Sequence, residues 1–357
     1  MKVAIYSPYL DTLGGGERYM MTIAQICSGR HSVDVLLDSH LASFNIDKLK
    51  KDLEERFELG LSKVSFKKAP LGKNSSFFQR LLFLKDYDLL FYLTDGSVFI
   101  PTAKRNILHI QTPLIGQPAK SLWGKFKLSG WDLIIYNSEF TKKNSQMYWP
   151  QKSGVIYPPV DTDKIKPLQK KKYILSVGRF FGYLRDKKHQ ILIKAFKKLS
   201  KEKEMAGWSL HLAGSASEGD KDYIDELKEN AKGVPINFYP NLGYAELIKL
   251  YGQSSIYWHS AGFAENDPTK MEHFGIATVE AMAGGCVPVV IGKGGQIEIV
   301  EPGKSGFLWN NLGELQNLTL RLINEGDLWK DLSNKARIRA RVFSKEKFVE
   351  RINQLIK

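Results

Sequence analysis

The sequence is poor in cysteine. Its 357 residues include two, Cys27 and Cys286, so a disulfide framework is excluded and a reducing compartment fits. Each lies in an apolar stretch, where a thiol packs as a small buried side chain. Long apolar runs are missing as well. No stretch approaches the roughly 20 residues that cross a bilayer as a helix. The start, Met1 to Pro8, shows neither the apolar core nor the small-residue cleavage site of a secretory signal. These absences predict a cytoplasmic location. Acid is in deficit: 38 Asp and Glu face 52 Lys and Arg, a formal net charge of +14. That balance favours nucleic acid, anionic membrane faces or phosphate-bearing substrates. The nucleic-acid class needs a motif beside the charge. No zinc-finger spacing, basic zipper or RNA-binding aromatic signature occurs, so no nucleic-acid partner is expected.

What is present is the composition of a folded chain, 43% hydrophobic and 25% charged, long enough for two domains of ordinary size. The first half alternates short apolar runs (Val3–Tyr6, Val33–Leu37, Leu89–Leu93, Ile107–Ile110, Leu133–Tyr136) with helical stretches (Glu17–Cys27, Ile46–Arg56, Phe140–Tyr148). The segment Tyr157–Asp163, with Pro167 and the lysines at 170–172, reads as a linker. The alternation then restarts, with strands expected at Tyr173–Val177, Ser209–Ala213, Ile236–Tyr239, Ile256–His259 and Val287–Ile291. Helices are expected between them, at His189–Ser200, Tyr223–Ala231, Ala245–Gly252, Ile276–Ala283 and Ile297–Val300, and two more within Leu328–Lys357. Such alternation implies parallel sheets wrapped by helices. Ligands are expected beyond the carboxyl ends of the strands, in a cleft between the two α/β halves.

Three motifs suit an anion. Gly14-Gly15-Gly16-Glu17-Arg18 follows the first strand and opens a helix, where free N–H groups and the dipole favour negative charge. A dinucleotide fingerprint would place glycine where Tyr19 stands, and no Gly-Lys-Ser/Thr closes the loop, so neither NAD nor a Walker-type site is indicated. In the second half, Arg179 follows a strand and Lys187 precedes a helix; two fixed cations suit a diphosphate. The densest signal runs from Glu272 through His273, Phe274, Gly275, Ile276 and Ala277 to Glu280. The N–H groups of Gly275, Ile276 and Ala277 would be free to hold phosphate oxygens. Glu272 and Glu280 bracket that point, one suited to accept hydrogen bonds from a ribose and the other from a hexose. Each motif also has a plain reading, as a tight turn, a basic surface or solvated acids.

Taken in order, the glycine loop, Asn137-Ser138-Glu139-Phe140, Gly178-Arg179 with Lys187, Glu272 and Glu280 with seven residues between them, and Gly294-Gly295 before Glu298 resemble a retaining glycosyltransferase of family 4. The resemblance runs over nearly the whole chain and implies the GT-B fold, two Rossmann-like parallel-sheet domains facing across a cleft. It implies an acceptor-binding domain over 1–165, a nucleotide-sugar domain over 166–340, and a final helix, 341–357, returning to the first domain. Arg179 and Lys187 would bind the donor diphosphate, and Glu280 the ribose. Glu272 would sit by the hexose. Gly15, Gly16, Phe274, Gly275, Ile276 and Ala277 would complete the donor site. His109 resembles a strand-end histidine bordering the reaction centre; without the resemblance its position favours a core histidine.

The resemblance implies no cofactor and no catalytic metal. The Asp-x-Asp spacings at Asp86–Asp88 and Asp161–Asp163 lie away from the expected diphosphate site. The wording Glu272-His273-Phe274-Gly275 is similar to that of dolichol-linked-oligosaccharide mannosyltransferases and bacterial relatives, which points to GDP-mannose, although the long segment His259–Lys270 lies at the sugar end. Basic residues mix with aromatics at Lys73–Lys85 and Lys120–Trp131, which suits an anionic membrane surface presenting a lipid-linked acceptor. The expectation is a cytoplasmic hexosyltransferase, peripheral at the inner membrane face, with a glycan or lipid-linked acceptor. The alternatives are an idle sugar-nucleotide holder of the same fold, or a sugar-nucleotide epimerase.

Overall fold

The computed structural model describes every residue except Lys73, Asn74, Gln117 and Ala119. The chain forms two compact units, Met1–Pro159 with Phe348–Lys357, and Val160–Lys347. Val160 belongs to the second because its N–H donates to Phe343 O (3.3 Å) and its O accepts from Lys345 N–H (2.9 Å).

The first unit holds a parallel sheet of β1 (Lys2–Tyr6), β2 (Ser32–Leu37), β3 (Val64–Lys68), β4 (Leu89–Leu93), β5 (Arg105–Ile110), β6 (Leu133–Tyr136) and β7 (Ser153–Val155), in the order β3-β2-β1-β4-β5-β6-β7. The central strands read as unbroken apolar runs because both their faces are covered by helices. Those helices are α1 (Gly15–Ser28), α2 (Ile46–Phe57), α3 (Phe77–Leu84), α4 (Leu122–Ser129) and α5 (Glu139–Ser145). In α1 the buried Tyr19, Met20, Ile23, Ala24 and Cys27 recur at three- and four-residue spacing, the stripe a helix needs to lie on a sheet. Met20 and Ile23 each contribute roughly 1.5–3 kcal/mol on burial.

The second unit repeats the scheme with β8 (Lys171–Val177), β9 (Ser209–Gly214), β10 (Ile236–Pro240), β11 (Ser254–His259), β12 (Val287–Ile291) and β13 (Phe307–Trp309), in the order β10-β9-β8-β11-β12-β13. Its helices are α6 (His189–Leu199), α7 (Lys221–Asn230), α8 (Tyr244–Gln253), α9 (Ile276–Ala283), α10 (Gln296–Ile299), α11 (Leu312–Asn324) and α12 (Gly326–Ala340). The last helix, α13 (Lys345–Leu355), carries Phe348 and Ile352 into the core of the first unit. There Arg105 Nη1 donates to Leu355 O at 2.6 Å.

Both sheets reverse direction of winding beside their first strand, between β1 and β4 and between β8 and β11. Such a switch point opens a crevice at the carboxyl ends of the strands. In the second unit those ends are Val177, followed by Gly178-Arg179, and His259, followed by Ser260.

Three strands, β3, β7 and β13, escape the sequence reading, and all three sit at sheet edges. An edge strand buries one side at most and needs no apolar run; β3 is mostly exposed. The helices α3, α4 and α11 were likewise not assigned in advance.

Both cysteines are buried and free. Cys286 Sγ lies 3.3 Å from Tyr251 O and 3.2 Å from Ser254 O. Among the described residues no helix is long and apolar enough to cross a membrane. The basic-aromatic stretches form α3 and α4, and Lys73, at the start of the first, lies outside the described residues. Phe78 (74% exposed), Leu122 (85%), Trp123 (56%) and Phe126 (57%) project from them into solvent. Trp123 and Phe126 stack with ring centroids 5.4 Å apart, and Lys127 Nζ lies 5.6 Å from the Trp123 ring centre.

Candidate active site

The second unit gathers its charged side chains at the switch point. Lys187 is laid there by close packing: a Cβ on Gly178 would stand 2.8 Å from Lys187 Cγ. Its Nζ reaches Glu272 Oε2 at 2.7 Å and Asp186 Oδ2 at 3.8 Å. The same Glu272 oxygen takes His259 Nε2 at 3.0 Å. Ser260 Oγ donates to Lys187 O at 2.9 Å, tying the end of β11 to the loop before α6. Burial opposes charge on both partners, yet the mutual attraction wins. Lys187 is held above the ordinary lysine value by Glu272 and Asp186 despite its desolvation. Glu272 is held well below the ordinary carboxylate range by Lys187 and His259 despite the same penalty. Arg179 is exposed on the adjoining turn, its guanidinium 4.3 Å from the Phe181 ring centre. It is near enough to Lys187 for their repulsion to count.

The loop carrying Glu272 is fixed from below. Gly294, in the left-handed region at φ 65°, passes so close that a Cβ there would lie 2.3 Å from Glu272 O. Gly295 N–H donates to that same oxygen at 2.7 Å. Only glycine fits both the conformation and the approach. The longer segment ahead of Glu272 is pinned too: Lys188 Nζ bonds Glu265 Oε1 at 2.5 Å, and Lys293 Nζ bonds Glu265 O at 2.6 Å. This lysine pair therefore secures the long segment to the start of α6 and to the Gly294 loop.

Helix α9 starts after Gly275, whose φ is 126°. Thr278 and Val279 N–H groups bond back to Gly275 O at 3.0 and 3.2 Å. Ile276 and Ala277 supply the first helical N–H groups, which have no partner within the helix. Both side chains are half-buried. Beneath the turn, buried Gln296 accepts from Thr278 Oγ1 at 2.9 Å. Glu280, 9% exposed, accepts from Tyr251 Oη at 2.9 Å. Phe274 is buried edge-on against Phe343, centroids 5.5 Å apart, so its side chain belongs to the core and only its backbone lines the turn.

The first unit looks different at the same point. Gly14 caps α1, and Glu17 Oε2 accepts from Gly14 N–H (2.9 Å) and Thr12 Oγ1 (3.0 Å). The carboxylate thus already occupies part of the helix terminus expected to receive an anion, while Gly15 and Gly16 begin the helix proper. A Cβ on Gly16 would stand 1.8 Å from Gln111 Nε2, so that flexible side chain would have to turn away. His109 does not border an open site. It is 1% exposed, stacked on Tyr19 with centroids 3.8 Å apart, and Tyr19 in turn meets Phe348 edge-on at 4.8 Å. Its Nδ1 lies 3.0 Å from Ile135 O, and burial depresses its pKa to about 3. Helix α1 and the returning α13 seal this histidine in, and the side chain that reaches the glycine loop is Gln111, two residues further on.

Sequence reasoning missed Gln111, His259 and Tyr251. His259 is 13 residues before Glu272, and the fold-back of the segment between them brings them together. Of the two Asp-x-Asp spacings, Asp88 accepts from Lys2 N–H at 2.7 Å and Lys104 Nζ at 2.7 Å, and Asp161 lies 3.8 Å from Lys345 Nζ. Among the described residues no group of three or more His, Cys, Asp or Glu converges as metal ligands.

Residues 160–339, half of the chain, match the model of the family described as glycosyl transferases group 1. The chain is 29% identical over 195 residues to a GDP-Man:Man(3)GlcNAc(2)-PP-Dol alpha-1,2-mannosyltransferase of Xenopus tropicalis, covering 50% of this chain and 38% of that one. It is 26% identical over 247 residues to the protein of the same description in Dictyostelium discoideum, covering 63% and 47%. The matched segment spans less than half the length of these two relatives. Among solved structures, Anabaena HepE in complex with UDP and glucose superposes with a TM-score of 0.70 at 19% identity, covering 100% of this chain and 99% of that one. A glycosyltransferase from Rickettsia africae gives 0.73 at 16%, covering 99% and 97%. These likenesses show the fold: two Rossmann-like parallel-sheet domains of the GT-B class.

Proposed function

Since the chain belongs to the family of glycosyl transferases group 1, we propose that it is a hexosyltransferase that retains the anomeric configuration, needs no metal ion and takes its sugar from a nucleotide-diphosphate donor. The observation that carries this reading is the cluster at the β8–β11 switch point. Two cations, Lys187 and the exposed Arg179, stand there beside the paired acid Glu272. A diphosphate satisfies the two cations and the N–H groups of Ile276 and Ala277. Glu280, oriented by Tyr251, accepts from ribose hydroxyls, and Glu272 accepts from the hexose. When the bond from the sugar's anomeric carbon to the phosphate oxygen breaks, Arg179, Lys187 and the helix N-terminus stabilise the charge that develops on the diphosphate. The acceptor hydroxyl adds on the same face, and its proton passes to the leaving diphosphate.

GDP-mannose is the proposed donor, supported by the descriptions of the two mannosyltransferase relatives and by the Glu272–Gly275 wording. The first unit is proposed to take a glycan or lipid-linked acceptor. The exposed aromatics of α4, with Lys125 and Lys127 beside them, would rest on an anionic membrane surface at its cytoplasmic side.

The test is a thermal-shift screen with GDP, UDP, ADP and their hexose conjugates in EDTA. A ligand at about 100 times its dissociation constant stabilises by roughly 2.7 kcal/mol. A shift with guanine ligands alone supports the proposed donor. A shift only after adding a divalent metal removes the metal-independent reading, and no shift with any ligand removes the donor site. Binding without transfer to any acceptor or to water would mark an idle holder.

A further inference from the structure

Glu272 has two partners on one oxygen, Lys187 Nζ at 2.7 Å and His259 Nε2 at 3.0 Å. They differ in what a ligand would do to them. A diphosphate competes directly for the lysine, whose flexible stem lets the ammonium turn toward it. The histidine cannot follow. Its side chain is 5% exposed, and its backbone is the last residue of β11, paired with Val290 of β12.

The protonation of His259 follows from its partners. A carboxylate only accepts, so Nε2 carries the hydrogen. Nδ1 is buried with no hydrogen-bond partner. The ring is therefore a fixed donor aimed at Glu272. Also around that carboxylate are Lys187 and, beyond it, Asp186 and Arg179, with the titratable rings of His273 and Tyr257.

We propose that His259 is a positioning residue for the transfer: it keeps Glu272 aimed at the donor hexose when the diphosphate takes Lys187. This rests on the reading of Glu272 as the acid that meets the sugar. A histidine serving the fold alone would matter equally for every ligand. A positioning residue matters for the hexose and not for the nucleotide.

The experiment is calorimetric titration of the full chain with GDP and with GDP-mannose, comparing wild type, His259→Leu, His259→Gln and Glu272→Gln. The readout is the ratio of the two dissociation constants. In His259→Leu the preference for GDP-mannose over GDP should fall at least tenfold, while GDP binding stays within about threefold. His259→Gln, which keeps a side-chain N–H donor, should recover most of the preference. Equal weakening of both ligands, or an unchanged ratio in His259→Leu, overturns the proposal. An unchanged ratio in Glu272→Gln instead overturns the reading of Glu272 and takes the proposal with it. Nitrogen NMR of labelled histidine in the unliganded chain gives an independent check: hydrogen on Nε2 of His259 supports the assignment, and hydrogen on Nδ1 alone contradicts it.

Discussion

The two units share one strand order around their first strand, yet they treat the crevice beside it in opposite ways. In the second unit the crevice holds an ionised group of Lys187, Glu272 and, one turn away, Arg179, with charges kept by mutual attraction against burial. In the first, the imidazole of His109 is buried neutral beneath Tyr19, and Glu17 turns its carboxylate inward to cap α1. Backbone topology alone therefore does not make a site. What differs is which loops return charged side chains to the strand ends, and in the second unit the Gly294-Gly295 loop and the long segment before Glu272 do so.

The largest effect expected is from that loop. Gly294→Ala forces a Cβ against Glu272 O and a side chain into a left-handed conformation. It should lower stability by roughly 2 kcal/mol and abolish measurable donor binding, whereas Gly233→Ala, also at positive φ but with nothing within 4 Å, should bind donor normally. Chemical denaturation and calorimetry on both variants decide this.

Acid should separate the units next. The folded pKa of His109 is depressed to about 3 from an ordinary 6.5. Its contribution to stability is thus fully present above pH 6.5 and is lost as pH falls toward 3. At pH 5 the loss amounts to about 2 kcal/mol, at about 1.4 kcal/mol per unit. His109→Phe, which keeps the stack on Tyr19, should flatten that part of the stability profile. Glu272, depressed as well, stabilises above the ordinary carboxylate range, and its share disappears only at lower pH, as the pH falls through its folded value. Denaturation curves from pH 7 to pH 4 that are identical for wild type and His109→Phe would show that His109 is not neutral in the fold.

Tyr251→Phe removes the hydroxyl that holds Glu280. A hydrogen bond to a charged group is worth about 1.5–3 kcal/mol, so donor affinity should fall by roughly tenfold, measured by the same titration. The smallest effect on stability is expected at α4. Trp123→Ala and Phe126→Ala remove exposed rings and should change unfolding free energy by less than about 0.5 kcal/mol, while cutting sedimentation with anionic vesicles. Unchanged sedimentation would remove the proposed membrane contact from the first unit.

How much of this was legible in the sequence follows the same division. In the second unit the Glu272–Glu280 spacing, the strand-end Arg179 and the helix-start Lys187 are local patterns, each legible within a single segment of the chain. His259 was invisible because its tie to Glu272 depends on how the segment between them folds back over the strand end, which no residue pattern records. In the first unit a strand-end histidine was legible, but its cover was not: Tyr19 lies 90 positions away from His109 and Phe348 lies at the other end of the chain. A shift of two residues along one strand moves the open position from His109 to Gln111, and sequence patterns locate strand ends no better than that.

The most direct measurement is hydrogen exchange of the full chain with and without GDP-mannose. The account predicts slowed exchange in peptides covering 178–188 and 272–280, with the peptide around His109 unchanged because its core is sealed in both states. Slowing confined to peptides of the first unit, with none at 272–280, would contradict it.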